Sequence, residues 1–144
     1  MTEVDVALVR RKPGRIAANI ARLAAIEPLS LDAYRAGPLT AKATERLLQE
    51  TIDAAVDVNL HLLRVQQAEA PPDYYESFIR PGELGVISVT LSRELAPAAG
   101  LRNRIVHEYD DVDDAIVLDA VARARRQFAQ YIAQVEQYLS SASA

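Results

Sequence analysis

Apolar residues recur at helical spacing along most of the chain. From Leu48, the positions Ile52, Ala55, Asn59 and Leu62 follow at alternating steps of four and three. That pattern lines one face of a helix and predicts one from about Thr40 to Ala68, with Thr40 as its N-cap. Val117, Val121, Ala124, Phe128, Tyr131, Val135 and Tyr138 repeat the spacing near the end of the chain. Asp113 is the candidate cap of this second long helix, and Asp114 falls in its first turn, where a negative charge suits the helix dipole. An amphipathic helix is expected from Ile16 to Tyr34 through Ile16, Ile20, Leu23 and Ala24, ended or kinked near Glu27 by Pro28. Pro71-Pro72 is expected to close the Thr40 helix, and Pro81-Gly82 to separate a short helical turn around Tyr75 and Phe78 from the next element. Val86 to Leu91 is rich in β-branched residues, yet Leu84, Ile87, Leu91 and Leu95 keep helical spacing and no partner strand is visible, so a buried helix is expected there. Pro97 precedes one more helix. With no internal repeat, low-complexity tract or long linker, the pattern predicts an all-α bundle of roughly four or five helices, a single domain over residues 1–144.

Composition narrows what such a bundle does. With 144 residues, half of them hydrophobic, the chain is large enough to bury a core without covalent staples. It has no cysteine, which excludes disulfides, thiolate metal sites and cysteine nucleophiles, and fits a reducing compartment; the expected address is the cytoplasm. Charges at Glu3, Asp5, Arg10, Arg11, Lys12 and Arg15 leave no apolar run of signal or membrane-span length within Met1 to Arg22. The net charge of −4 and the isoelectric point near 5.2 have the wrong sign for gripping nucleic acid over a broad surface, so any RNA contact must be local. Among 16 basic residues only Lys12 and Lys42 are lysines. Guanidinium groups suit bidentate phosphate contacts, although codon bias explains the ratio equally well.

The densest chemistry lies between Gly100 and Asp110, where Arg102, Asn103, Arg104, His107 and Tyr109 follow one another. A guanidinium that stays charged and an imidazole that titrates near neutrality are the side-chain minimum for moving a proton at a phosphodiester while neutralising developing charge. On a straight helix, however, Arg102 and His107 lie about 140° apart, whereas Asn103 and His107 stack one turn apart. Bringing Arg102 to His107 requires the arginine arm to curl back, the helix to break, or a second copy of the chain to supply the missing half. The bland alternative pairs Arg102 and Arg104 with acids of the following helix (Asp110, Asp111, Asp113 or Asp114) and makes His107 a polar helix end. Asp57 and His61 stand one turn apart and suit a carboxylate–imidazole pair, but nothing nucleophilic accompanies them, and a solvated or interface pair is expected. The two histidines lack a third ligand at recognisable spacing, so no metal site is expected. Arg10-Arg11-Lys12 and Arg123, Arg125, Arg126 read as solvated helix surface unless they border the motif.

The order Arg102, four residues, His107, one residue, Tyr109 resembles the signature of the HEPN superfamily, in particular the HepT-like toxins. Glu45-Arg46-Leu47-Leu48-Gln49, Ile52, Asp57 and His61, Pro72-Asp73-Tyr74-Tyr75-Glu76-Ser77-Phe78, Leu95 and Ala99-Gly100 also fall in that family's order, so the resemblance covers residues 40–139. The family usually has Asn directly before its helix-two His; here Leu60 precedes His61 and Asn59 stands one place earlier, so no role carries over to that Asn. The resemblance implies a HEPN-like homodimer in which two motifs face one cleft. It implies a metal-independent endoribonuclease without cofactor, in which His107 moves a proton at an RNA 2′-hydroxyl or leaving oxygen, Arg102 holds the non-bridging phosphate oxygens and Asn103 supports them. It further implies the toxin half of a toxin–antitoxin pair, whose minimal nucleotidyltransferase partner attaches AMP to Tyr109. A non-catalytic HEPN module that binds nucleotide or partner is the alternative, and a structural helical adaptor a third.

Overall fold

A computed structural model describes residues 6–107 and 112–142. Among these residues the structure is all-helical: α1 (Val6–Arg22), a 3₁₀ turn (Leu23–Ala25), α2 (Leu31–Ala36), α3 (Pro38–Val65), α4 (Tyr74–Glu83), α5 (Val89–Leu95), α6 (Ala98–His107) and α7 (Asp114–Ala142). The bundle is therefore richer in helices than its periodicity suggests. α2 and α5 span six and seven residues, too few to display a period, and are set by their caps instead: the Ser30 hydroxyl accepts from Ala33 N and that of Ser88 from Leu91 N, both at 3.1 Å. No described helix is long and apolar enough to cross a membrane.

The two long helices carry the expected faces. Leu48, Ile52, Ala55, Asn59 and Leu62 on α3 are buried, as are Val117, Val121, Ala124, Phe128, Tyr131 and Val135 on α7. Asp113 caps α7 through a 2.9 Å bond from Ala115 N. Thr40 does not cap α3. Gly37 does, with Pro38 in the first turn, and the Thr40 hydroxyl occupies the space a Cβ on Gly37 would need. α3 ends at Val65, ahead of Pro71-Pro72, where Gln67 turns left-handed (φ 59°) and Ala68 N donates back to Leu63 O at 2.9 Å.

Three further expectations give way. α1 begins ten residues before Ile16 and ends at Arg22, where the chain tightens into the 3₁₀ turn with Ile26 N on Leu23 O at 3.0 Å. Pro81-Gly82 separates nothing: both lie inside α4 and are buried. The carbonyl of Pro81 then accepts from Val86 N at 2.9 Å and Ile87 N at 3.4 Å, so Val86 and Ile87 form a buried turn ahead of α5, and Leu84 is exposed rather than on the helical face.

One hydrophobic cluster joins these elements, with α1 against α3 and α7, and α4 against α3 and α5. Phe128 meets Phe78 and Tyr131 edge to face at 6.5 and 6.2 Å. The fully buried Tyr131 hydroxyl is shared between Asn59 Oδ1 at 2.6 Å and Ala55 O at 3.1 Å, which pins α7 to α3 in one register. Gln66 donates to the Tyr138 hydroxyl at 2.7 Å farther along the same pair. α6 rests on the α3–α4 side of this frame, and its position fixes the site.

Candidate functional site

Pro97 opens α6, its carbonyl accepting from Gly100 N at 3.1 Å and Leu101 N at 3.4 Å. Ala98, Leu101 and Ile105 then pack against the core, one helical face that sets the rotation of every other residue on α6. Arg102 falls on the core-facing half. Its Nε donates to Asp53 Oδ1 on α3 at 2.9 Å, with side-chain exposures of 20% and 34%, and its Cζ lies 4.7 Å over the ring of Tyr74 on α4. Carboxylate on one edge and aromatic face beneath fix the plane of the guanidinium. The Asp53 contact engages one of its five N–H donors. Burial, then the charge of Asp53, pushes the Tyr74 hydroxyl up from its ordinary range, and Arg102 pulls the other way. One turn along α3, Asp57 pairs with Lys12 Nζ of α1 at 3.1 Å. The result is an acidic pair, Asp53 and Asp57, bracketed by Arg102 and Lys12.

His107 is the last residue of α6, exposed, and Asn103 and Arg104 are exposed one turn before it. Since α6 is continuous from Ala98 to His107, the helix does not break between Arg102 and His107. The chain brings Asn103 and His107 to one face and turns Arg102 to the other. Tyr109 lies outside the described residues, as do Asp110 and Asp111. Arg102 does not pair with the start of α7: Asp113 caps that helix, and Asp114 meets Arg35 at 3.4 Å. Sequence reasoning missed Asp53 and Tyr74. Tyr74 stands within the Pro72 to Phe78 segment that the resemblance picked out, but Asp53 is 49 positions from Arg102 and leaves no local signal.

The remaining candidates separate. His61 is buried, 8% exposed, and Asp57, expected with it as a solvated or interface pair, forms an ion pair with Lys12 at 3.1 Å. Arg123 meets Asp119 at 2.6 Å, and Arg125 meets Glu27 at 2.9 Å and Ile20 O at 3.2 Å. That cluster is tied into the α7 surface, whereas Lys12 borders the motif through Asp57. Among the described residues no three His, Cys, Asp or Glu side chains gather to hold a metal ion.

Comparison with known proteins gives the family and the fold. The chain is 34% identical over 139 residues, 96% of its length and 95% of the relative's, to a tRNA nuclease HepT of Aphanizomenon flos-aquae. It is 33% identical over 85 residues, 59% of its length and 64% of the relative's, to an mRNA nuclease HepT of Shewanella oneidensis. A tri-AMPylated Shewanella oneidensis HEPN toxin solved in complex with MNT antitoxin shares the fold at a TM-score of 0.81, with 24% identity, covering 95% of this chain and 99% of that one. Residues 16–135 match the family described as Ribonuclease HepT-like, and the chain belongs to that family.

Proposed function

We propose that this protein is a metal-independent endoribonuclease, the toxin of a toxin–antitoxin pair, acting as a homodimer. The observation that carries the reading is the full-length similarity to a tRNA nuclease HepT, together with a motif helix whose terminal His107 is exposed. RNA brings its own nucleophile. The 2′-oxygen bonds to phosphorus as the 5′-oxygen departs, so the protein must accept one proton, supply another and neutralise charge on the non-bridging oxygens. His107 moves protons, Arg102 meets the phosphate and Asn103, one turn from His107, supports the site. The placement of Arg102 and His107 on different faces of an unbroken helix supports a cleft completed by a second copy, in which one chain's arginine serves the other chain's histidine.

Neutralisation follows the solved neighbour, a HEPN toxin carrying AMP groups beside an MNT antitoxin. A nucleotidyltransferase of that kind transfers AMP to Tyr109, two residues beyond His107, where bulk and phosphodiester charge repel RNA. The prior engagement of Arg102 by Asp53 is what favours the second reading, a non-catalytic HEPN module that binds nucleotide or partner.

Cleavage assays, growth on induction and circular dichroism decide between them. His107→Ala and Arg102→Ala each lose about 10²- to 10⁴-fold in cleavage while keeping their helix content. Mixing the two inactive variants into heterodimers restores part of the activity. Tyr109→Phe still cleaves, escapes neutralisation by the co-expressed antitoxin, and lacks the adenylate mass of the wild type. Full cleavage by folded His107→Ala sinks the mechanism, and adenylate on another residue sinks the assignment of Tyr109.

A further inference from the structure

The guanidinium that shares a face with His107 is that of Arg104. At about 100° per residue, Gly100, Asn103, Arg104 and His107 fall within an arc of about 100°. All four are exposed, and every other residue of α6 is buried or half-buried. Arg102 lies about 160° round the helix from Arg104, against Asp53 and Tyr74. Gly100 adds a second observation. A Cβ there meets nothing within 4 Å, and its φ is not in the left-handed region, so nothing among the described residues requires glycine, although glycine weakens a helix relative to alanine. Its absent side chain leaves bare backbone at the start of the stripe, where a strand can lie close. The chain's net charge of −4 makes an unassisted approach of RNA unfavourable, so a cation beside the reacting group has to supply the local attraction.

Resting on the ribonuclease reading, we propose that this stripe is the track of the RNA strand, and that Arg104 binds the phosphate adjoining the scissile one while Gly100 admits the backbone. Arg104 is a substrate-binding residue in this scheme and takes no part in proton transfer.

Anisotropy of a fluorescein-labelled single-stranded RNA tests it in the His107→Ala background, where binding is read without cleavage. Adding Arg104→Ala raises Kd about tenfold at low salt and flattens the slope of log Kd against log salt by about 0.7. Arg104→Lys keeps the slope, because the charge remains. In the cleaving protein Arg104→Ala raises KM by a similar factor and leaves kcat within about twofold. Unchanged Kd and slope overturn the track, whatever the cleavage assay shows. A change of oligomer mass in light scattering on Arg104→Ala, with RNA affinity intact, assigns the stripe to a second copy and overturns it too. Arg104-dependent RNA binding by a wild-type protein that cuts nothing supports the track and overturns the ribonuclease reading instead.

Discussion

Arg102 is held twice, by an Asp53 oxygen 2.9 Å from its Nε and by the Tyr74 ring 4.7 Å from its Cζ. Partly exposed ion pairs of this kind stabilise a fold by about 0–1 kcal/mol, so the pair matters more for aiming the guanidinium than for holding α6 to α3. Two substitutions separate these roles. Tyr74→Phe keeps the aromatic face and is expected to cleave within about twofold of wild type, whereas Tyr74→Ala removes a cation–π contact of about 0.5–1 kcal/mol and lowers kcat severalfold, with a lower melting temperature as well because the ring packs against the core. Equal rates for both variants, measured at saturating RNA, would show that the ring does not position Arg102. The residue types were legible in the sequence. Arg102, Asn103 and His107 lie within six consecutive positions of the chain and their helical phase follows from counting. The partners of Arg102 were not, because Asp53 and Tyr74 reach it only through the packing of α3, α4 and α6, which local periodicity does not encode.

At the scale of elements, proline misled at Pro81-Gly82, and hydrophobic spacing misled only over the short run from Leu84 to Leu95, where Val86 and Ile87 form a turn ahead of α5. α3 and α7 contain 28 and 29 residues, several full periods of apolar positions, and both their existence and their buried faces could be read directly. Pro13 and Pro81 nonetheless lie inside α1 and α4. A proline deprives the helix of one N–H and costs about 3 kcal/mol in an interior; at both sites the residue is buried, and contact with the core offsets that cost. Around Pro81 the packing is tight. The Ser92 hydroxyl donates to Phe78 O at 2.6 Å and to Ile79 O at 3.1 Å, and a Cβ on the adjoining Gly82 would lie 2.5 Å from Ser92 Cβ. Gly82→Ala is therefore expected to destabilise by about 1–3 kcal/mol, although alanine is ordinarily the better helix former. Chemical denaturation checks the sign, and a stabilised variant would show that α4 and α5 separate freely.

At the scale of the whole molecule, helical phase, capping residues and the absence of alternating strand patterns suffice for the all-α bundle seen among the described residues, whereas the homodimer expected from the phase of Arg102 and His107 and from the family resemblance is a matter for light scattering of the purified chain. The Tyr131 hydroxyl lodged between α3 and α7 has a spectroscopic consequence. The chain contains six tyrosines and no tryptophan, so its near-ultraviolet absorbance is dominated by phenol. Burial pushes the Tyr34 hydroxyl up to about 12 and raises that of Tyr131 as well. Below about pH 10, the ordinary tyrosine value, these groups are protonated in folded and unfolded chains alike, and the stability is intact. As pH climbs from there through about 12, the unfolded chain releases phenolic protons that the folded chain retains, and stability falls. An alkaline titration followed at the phenolate band should rise in two stages: exposed tyrosines first, with helical dichroism unchanged, then Tyr34 and Tyr131 together with its collapse. A single stage near pH 10 with the helices intact would contradict their burial. Tyr131→Phe should shrink the second stage, so the protein's own ultraviolet spectrum times the moment at which its two longest helices part.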